Sequence, residues 1–329
     1  MIARILVSGA LLSTVAGSAA PQPTARNAES QLFAMQSNFW VNLHHFLYVS
    51  ARARQGLDAG RPAVTSALGD TTGFGALSAS LRQEWEQALE YYAAALADRD
   101  VLFDSTLVRV NVRLSHVDAN ASPDAAALDT AHARALRRAA SAYRTLWWPR
   151  HDRANQTWIA NVRPLLAQHG DSAAAWEARA FGVPLPGSPV PVDVSAYANW
   201  AGAYTTEGPS HITISSLNEG NHGTAAFEML FHEVLHTMDG ALFEQYRAAA
   251  LAQGKRMLRN PTHPFVFYTA GEVTRRLFPG HVPYAESGGL WARSRDMGPM
   301  LPLLRRHWQP WLDGTISLDE ALRRIATDL

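Results

Sequence analysis

The chain has no cysteine among its 329 residues. Disulfide bonds therefore cannot stabilise it, and any bound metal must be held by histidine, aspartate or glutamate. It also has no excess of charge, because 29 basic residues balance 29 acidic ones. A neutral chain has no general electrostatic reason to bind nucleic acid or an anionic membrane surface. What remains is a composition typical of a folded soluble domain, with 47% hydrophobic residues.

Long hydrophobic runs are missing beyond the first residues of the chain. There, Arg4 precedes an apolar run from Ile5 to Ala16, which is too short to span a bilayer comfortably. Small residues follow, and we expect cleavage after Ala19. The pattern predicts a signal peptide at residues 1–19 and an exported protein, periplasmic or secreted, with no membrane span after signal removal. An uncleaved membrane anchor is the alternative.

In the rest of the chain, the pattern of apolar residues changes near residue 185, within the proline-rich stretch 182–191. Before it, apolar residues recur at helical spacing in several long segments. These predicted helices cover 28–54, 78–98, 123–146 and 151–168, whereas 107–114 alternates like a strand. After it come strand-like segments and two helices. We therefore predict an α+β protein, predominantly helical, with a helical N-terminal region (28–184) and a C-terminal region (185–329) that contains a small sheet.

The stretch FHEVLH carries two histidines four residues apart, His232 and His236, with Glu233 directly after the first. On a helix both imidazoles lie on one face and can reach the same metal ion, while the glutamate points to the adjacent rim. A zinc ion there lowers the pKa of a water toward neutrality, and Glu233 can accept its proton. The alternative is a pair of hydrogen-bonded core histidines on an apolar helix.

A catalytic zinc needs a third protein ligand and one open coordination position. The extended metzincin pattern is absent, because Asp239 and Leu242 stand where it needs glycine and a ligand. We expect the ligand on a later predicted helix (261–280), where Glu272 lies in a mostly apolar segment. An ion pair between Glu272 and either Arg275 or Arg276 is the alternative role. Glu244 is a weaker candidate, because helix rise carries it about 12 Å beyond the second histidine.

With this strand, this His-Glu-Val-Leu-His helix and the later Gly-Glu helix, residues 193–290 resemble the gluzincins, the thermolysin-like zinc metallopeptidases. They are also similar to an uncharacterised exported bacterial group within them. The resemblance implies a zincin-like C-terminal half, Zn²⁺ as the cofactor and Glu233 as general base or acid. The implied metal ligands are His232, His236 and Glu272. It also implies that HITISSL (211–217) is the edge strand to which an extended substrate adds its backbone.

The sequence departs from the gluzincins at one position. Many of them carry an aspartate four residues after the ligand glutamate, where it orients a zinc histidine. Here that position is Arg276. A carboxylate for this role must therefore come from elsewhere, and Asp239 and Glu228 are the candidates.

Three side chains are candidate donors to the oxyanion that develops during hydrolysis: Tyr268, His281 and Tyr284. Tyr284 is favoured, because a loop can place its hydroxyl across from the ligand helix. Ordinary packing or surface exposure is the alternative for each of them.

These patterns predict an exported zinc-dependent hydrolase, a metallopeptidase that cleaves a peptide or protein substrate. Two alternatives stay open: a zinc-binding module that is not a peptidase, and a metal-free helical binding or scaffold protein. The sequence does not specify the substrate or the oligomeric state.

Overall fold

The computed structural model of the protein describes residues 32–58, 61–69, 72–187, 189–206, 210–255 and 261–329. The signal peptide predicted at 1–19 lies outside these residues. The described chain is predominantly helical, as expected. Its α-helices are α1 (Phe39–Arg54), α2 (Pro62–Leu68), α3 (Ala79–Ala95), α4 (Ser105–Leu114), α5 (Thr130–Leu146), α6 (Trp148–Phe181), α7 (Thr224–Leu235), α8 (Asp239–Ala252), α9 (His263–Leu277), α10 (Tyr284–Ser287), α11 (Leu290–Arg293), α12 (Met300–Leu303), α13 (Gln309–Leu312) and α14 (Leu318–Asp328). None of the helices in these residues combines the length and the apolar character that crossing a membrane requires.

One small mixed sheet joins the two regions that the sequence distinguishes. Its strands are β1 (Phe33–Gln36), β2 (Val190–Ser195), β3 (Ala203–Thr206) and β4 (His211–Ser215). They lie in the order β1-β2-β4-β3, with β1, β2 and β4 parallel and β3 antiparallel to β4. Because β1 lies in the N-terminal region (28–184) and pairs with β2 of the C-terminal region, the sheet includes strands from both regions.

The expectation that HITISSL forms an edge strand was wrong. Its residues 211–215 form β4, which hydrogen-bonds to β2 on one side and to β3 on the other. The outer strand on this side of the sheet is β3. A strand pattern alone shows that a segment is extended, whereas its position in the sheet depends on pairing between segments distant in sequence.

The two faces of the sheet carry different chemistry, because successive side chains in a strand point to opposite sides. The face with Val192, Ile212 and Ile214 packs against apolar residues of α7. On the opposite face, Asn111 of α4 donates a hydrogen bond to Thr213. Helix α1 joins the same layer, since His45 Nε2 lies 2.8 Å from the hydroxyl of Tyr204 on β3. Helices α1 and α4 therefore contact one face, whereas α7, the helix with the histidine motif, and α6 pack on the other.

Two segments near the N-terminus differ from their predicted structure. Within the predicted helix 28–54, residues 33–36 form the strand β1, and α1 starts only after Asn38, whose side chain accepts hydrogen bonds from the N–H groups of Trp40 and Val41. Residues 28–31 of that prediction lie outside the described residues. The predicted strand at 107–114 is the helix α4. Asp104 caps α4, and the buried residues of this helix recur at helical spacing. Capping and packing therefore outweigh the strand propensity of the valines in α4.

Candidate metal site

The predicted active-site helix is α7, and packing decides which of its side chains reach the site. Phe227, Leu230, Phe231 and Val234 belong to the core between α7 and the sheet. Helix α7 ends at Leu235, His236 is its C-cap residue, and α8 begins at Asp239. The motif is thus followed by a short turn between two helices.

Three histidines come together at this turn. His263, the first residue of α9, joins His232 and His236, and one ring nitrogen from each lies within 4.8 Å of the others. The Nε2 atoms of His232 and His236 are 3.2 Å apart. Two nitrogen ligands at roughly 2.0–2.1 Å from a tetrahedral zinc ion lie about 3.4 Å apart. The donor types and their spacing therefore fit a zinc ion.

Burial keeps two of these imidazoles, those of His232 and His263, in the neutral form that binds metals. Burial lowers the pKa of His232 well below its ordinary value, and the neighbouring His236 and His263 lower it further. Burial also lowers the pKa of His263 to about 4, with His236 adding to the effect. Near neutral pH both rings are thus uncharged, and a neutral imidazole offers a lone pair to a metal ion.

Asp239 orients one of the three histidines. Its Oδ2 lies 3.2 Å from His236 Nδ1 and accepts a second hydrogen bond, of 3.3 Å, from the hydroxyl of Thr262. With this carboxylate as acceptor, Nδ1 of His236 carries the proton and Nε2 presents its lone pair to the group. Of the two candidates, Asp239 and Glu228, Asp239 is therefore the one that contacts a histidine of the group.

Glu233 is held by the outer strand of the sheet. Its side chain is buried, and the hydroxyl of Thr205 on β3 lies 2.7 Å from its Oε2 and 2.8 Å from its backbone oxygen. Burial raises the pKa of the Glu233 carboxyl, while His236 and the hydrogen bond from Thr205 oppose the rise. A carboxyl with a raised pKa beside the histidine group suits proton transfer near neutral pH.

Glu272 lies outside the histidine group. It follows His263 by nine positions on α9, and at about 100° per residue the two side chains leave the helix on opposite sides. Its Oε1 lies 3.1 Å from Arg275 Nη1. Burial raises the pKa of Glu272, and Arg275 opposes this. In the described residues the carboxylate is thus part of an ion pair, and His263 stands where a third ligand was expected from Glu272.

His263 was missed although the segment that contains it was singled out. Helical periodicity places His263, Phe267 and Gly271 on one face of α9 and Glu272 on the other. The ring of Phe267 packs against that of His232, with the centroids 4.0 Å apart. Because each face of α9 carries one side chain that can bind a metal, the sequence offered His263 as well as Glu272 as a third ligand.

Two of the three candidate oxyanion donors are engaged elsewhere. The hydroxyl of Tyr268 donates a 2.8 Å hydrogen bond to Gln309. Both ring nitrogens of His281 have partners, with Nε2 at 2.6 Å from Glu228 and Nδ1 at 2.8 Å from the hydroxyl of Thr224. These contacts give Tyr268 and His281 structural roles.

Tyr284 lies on the histidine side of α9. Its ring is stacked on that of Phe267, with the centroids 6.2 Å apart and the planes 9° from parallel. Burial raises the pKa of its hydroxyl, and the carboxylates of Glu228 and Glu233 add to the rise. Across the residues that the structure describes, its hydroxyl makes no hydrogen bond. Of the three candidates, Tyr284 is therefore the one whose polar group has no hydrogen-bond partner among the described residues.

Comparison with family models, with curated proteins and with solved structures yielded no match to this chain.

Proposed function

We propose that this protein is a zinc-dependent hydrolase that cleaves peptide bonds. The observation that carries the proposal is the convergence of His232, His236 and His263, with Glu233 next to the first of them. In the proposed ligand set, His263 replaces Glu272. Three histidines leave one position of a tetrahedral zinc ion open for a water or a substrate, as a catalytic site requires.

The fold supports a zincin-like arrangement. A mixed sheet with an antiparallel outer strand precedes a helix that carries the His-Glu-x-x-His motif, and that outer strand contacts the glutamate through Thr205. The N–H of Ser215 donates to the backbone oxygen of Gly202, and hydrogen-bonded residues alternate along an antiparallel pair. Ala203 and Thr205 therefore point their backbone groups away from β4.

Each side chain has a defined role in the proposed reaction. A bound zinc ion supplies a Lewis acid at the scissile carbonyl. Glu233 accepts a proton from the attacking water and returns it to the leaving amine, and Thr205 holds its carboxylate for this transfer. Tyr284 donates a hydrogen bond to the oxygen on which negative charge develops. Asp239 keeps His236 in its ligand orientation.

The test measures metal content and peptide cleavage in matched variants. We expect about one zinc per wild-type chain, a sharp reduction in His263→Ala, and full zinc content in Glu272→Ala. Cleavage of a mixed peptide library should be lost in Glu233→Gln while its zinc is retained.

Three results would contradict the proposal. If zinc is lost in Glu272→Ala but kept in His263→Ala, the third ligand is Glu272 and not His263. A wild-type protein that holds zinc but cleaves no peptide would be a zinc-binding module without peptidase activity. A wild-type protein that takes up no metal would be a metal-free helical protein.

A further inference from the structure

Glu228 is a buried carboxylate one helical turn before His232, and the mechanism above does not use it. The residue is 1% exposed. Its Oε1 and Oε2 accept hydrogen bonds of 3.0 and 2.8 Å from the N–H of Tyr284, and Oε2 lies 2.6 Å from His281 Nε2. Burying a carboxylate is unfavourable unless donors satisfy it. Here the donors all come from one short segment, residues 281–284.

The segment 281–284 is also held by contacts on its other sides. A Cβ at Gly271 of α9 would lie 2.7 Å from Pro283 Cβ and 3.3 Å from Glu228 Oε1, so this close approach requires glycine. A Cβ at Gly220 would lie 2.8 Å from Cε2 of Tyr284. Helix α9 and the turn at Gly220 therefore leave room for the segment, while Glu228 supplies the polar contact that holds it.

The segment ends at the tyrosine whose ring packs beside the histidine group. The Tyr284 side chain extends from the same residue whose N–H is bonded to Glu228, and its ring stacks on Phe267. Phe267 in turn packs against His232. A shift of the Tyr284 backbone therefore moves its hydroxyl relative to the metal ligands. Displacements of about 1 Å in a catalytic group reduce rates by on the order of 100-fold.

We propose that Glu228 is a positioning residue that fixes Tyr284 for its role in the reaction by holding the segment 281–284. This inference rests on the proposed function, because it assigns a purpose to the position of Tyr284 in that reaction. Across the described residues, the hydrogen bonds of Glu228 go to His281 and Tyr284 and not to the ligand nitrogens. Its replacement should therefore change turnover and leave zinc content unchanged.

The kinetic test is a double-mutant cycle between Glu228 and Tyr284. We expect Glu228→Ala and Tyr284→Phe each to lower kcat by roughly 10- to 100-fold, with KM within about threefold. Because Glu228 acts through Tyr284, the double variant should be about as active as Tyr284→Phe alone. Glu228→Gln should recover part of the lost rate, since its amide oxygen still accepts the N–H of Tyr284. Glu90→Ala, which removes an exposed glutamate on α3, is the matched control and should match wild type.

A second measurement keeps the inference testable without catalysis. Hydrogen exchange of the Tyr284 amide should be at least 10-fold faster in Glu228→Ala than in wild type, because that amide donates to Glu228. If wild type binds zinc but cleaves no peptide, the proposed function fails, and the exchange rate alone then decides whether Glu228 holds the segment.

Three outcomes would overturn the assignment of Glu228. Unchanged exchange at the Tyr284 amide would show that Glu228 does not hold the segment. Losses that multiply in the double variant would show that it acts independently of Tyr284. Loss of zinc from both Glu228→Ala and Glu228→Gln would assign it to the stability of the metal site.

Discussion

Replacing Asp239 by asparagine tests whether the carboxylate sets the metal affinity of His236. The substitution keeps the size of the side chain and removes its charge. In the structure the Oδ2 of Asp239 lies 3.2 Å from His236 Nδ1. A hydrogen bond to a charged group contributes about 1.5–3 kcal/mol.

The magnitude follows from the exposure of the pair. The side chains of His236 and Asp239 are 27% and 22% exposed, and solvent weakens the interaction, so we expect the lower end of that range. About 1.5 kcal/mol corresponds to roughly tenfold weaker zinc binding. Loss of a carboxylate that orients a metal-binding histidine typically costs about 10- to 100-fold in affinity, which agrees with this value.

The assay is competition for zinc with a chromogenic chelator of known affinity, at constant pH and salt. Thr262→Val removes the second hydrogen bond to the same carboxylate oxygen and should weaken zinc binding only about two- to threefold. Asp118→Asn, at a surface position away from the group, is the control. Zinc affinity of Asp239→Asn within twofold of wild type, with folding unchanged, would refute the role of Asp239.

Three further predictions concern stability. Burial lowers the pKa of His45 to about 4, so between pH 6.5 and 4 the imidazole is protonated in the unfolded chain but not in the folded one. As the pH falls through this window, the titration of His45 should lower the free energy of unfolding by about 3 kcal/mol, which urea unfolding measures. Glu177 is fully buried with neither oxygen hydrogen-bonded among the described residues, and burial raises its pKa well above the usual range. The free energy of unfolding therefore has its full contribution from Glu177 below about pH 4.5, and this contribution declines by about 1.4 kcal/mol per pH unit above that pH. The Glu177→Gln variant should therefore unfold at a higher urea concentration than wild type at pH 7. Gly271→Ala should lower the free energy of unfolding by about 1–3 kcal/mol through overlap with Pro283, whereas Gly240→Ala, where a Cβ meets nothing within 4 Å, should not lower it.

Each of these predictions has an outcome that contradicts it. A His45→Asn variant that loses stability between pH 6.5 and 4 as steeply as wild type would show that His45 does not titrate there. Equal urea midpoints for wild type and Glu177→Gln at pH 7 would mean that Glu177 has a partner. A Gly271→Ala protein as stable as Gly240→Ala would show that the contact with Pro283 relaxes freely.

The part of the candidate site that could be predicted from the sequence lies within one helix. His232, Glu233 and His236 are related by the period of an α-helix, and that period does not depend on the rest of the fold. Asp239, one of two candidates for orienting a histidine, follows His236 by only three residues across the short turn between α7 and α8, so this contact is local in the sequence too. The predominantly helical composition was predictable too, because long helices repeat their apolar positions many times.

The errors arise where two segments far apart in sequence meet. The alternating valines of α4 favour a strand when only this segment is considered. The cap from Asp104 and the burial of one helical face stabilise a helix instead. The edge position was assigned to β4 through the resemblance to the gluzincins. In the sheet β3 pairs with β4 from the outside and takes that position.

By itself, the sequence determined the helix with two histidines and a glutamate, the exclusion of cysteine chemistry and the apolar face on which that helix packs. Only the tertiary structure decided that His263 rather than Glu272 faces the two histidines, that β3 supplies Thr205 to Glu233, and that Glu228 holds the segment 281–284. The physical reason is that helical periodicity states which side chains of α9 share a face. Which face meets α7 depends on the packing of residues separated by loops and by α8.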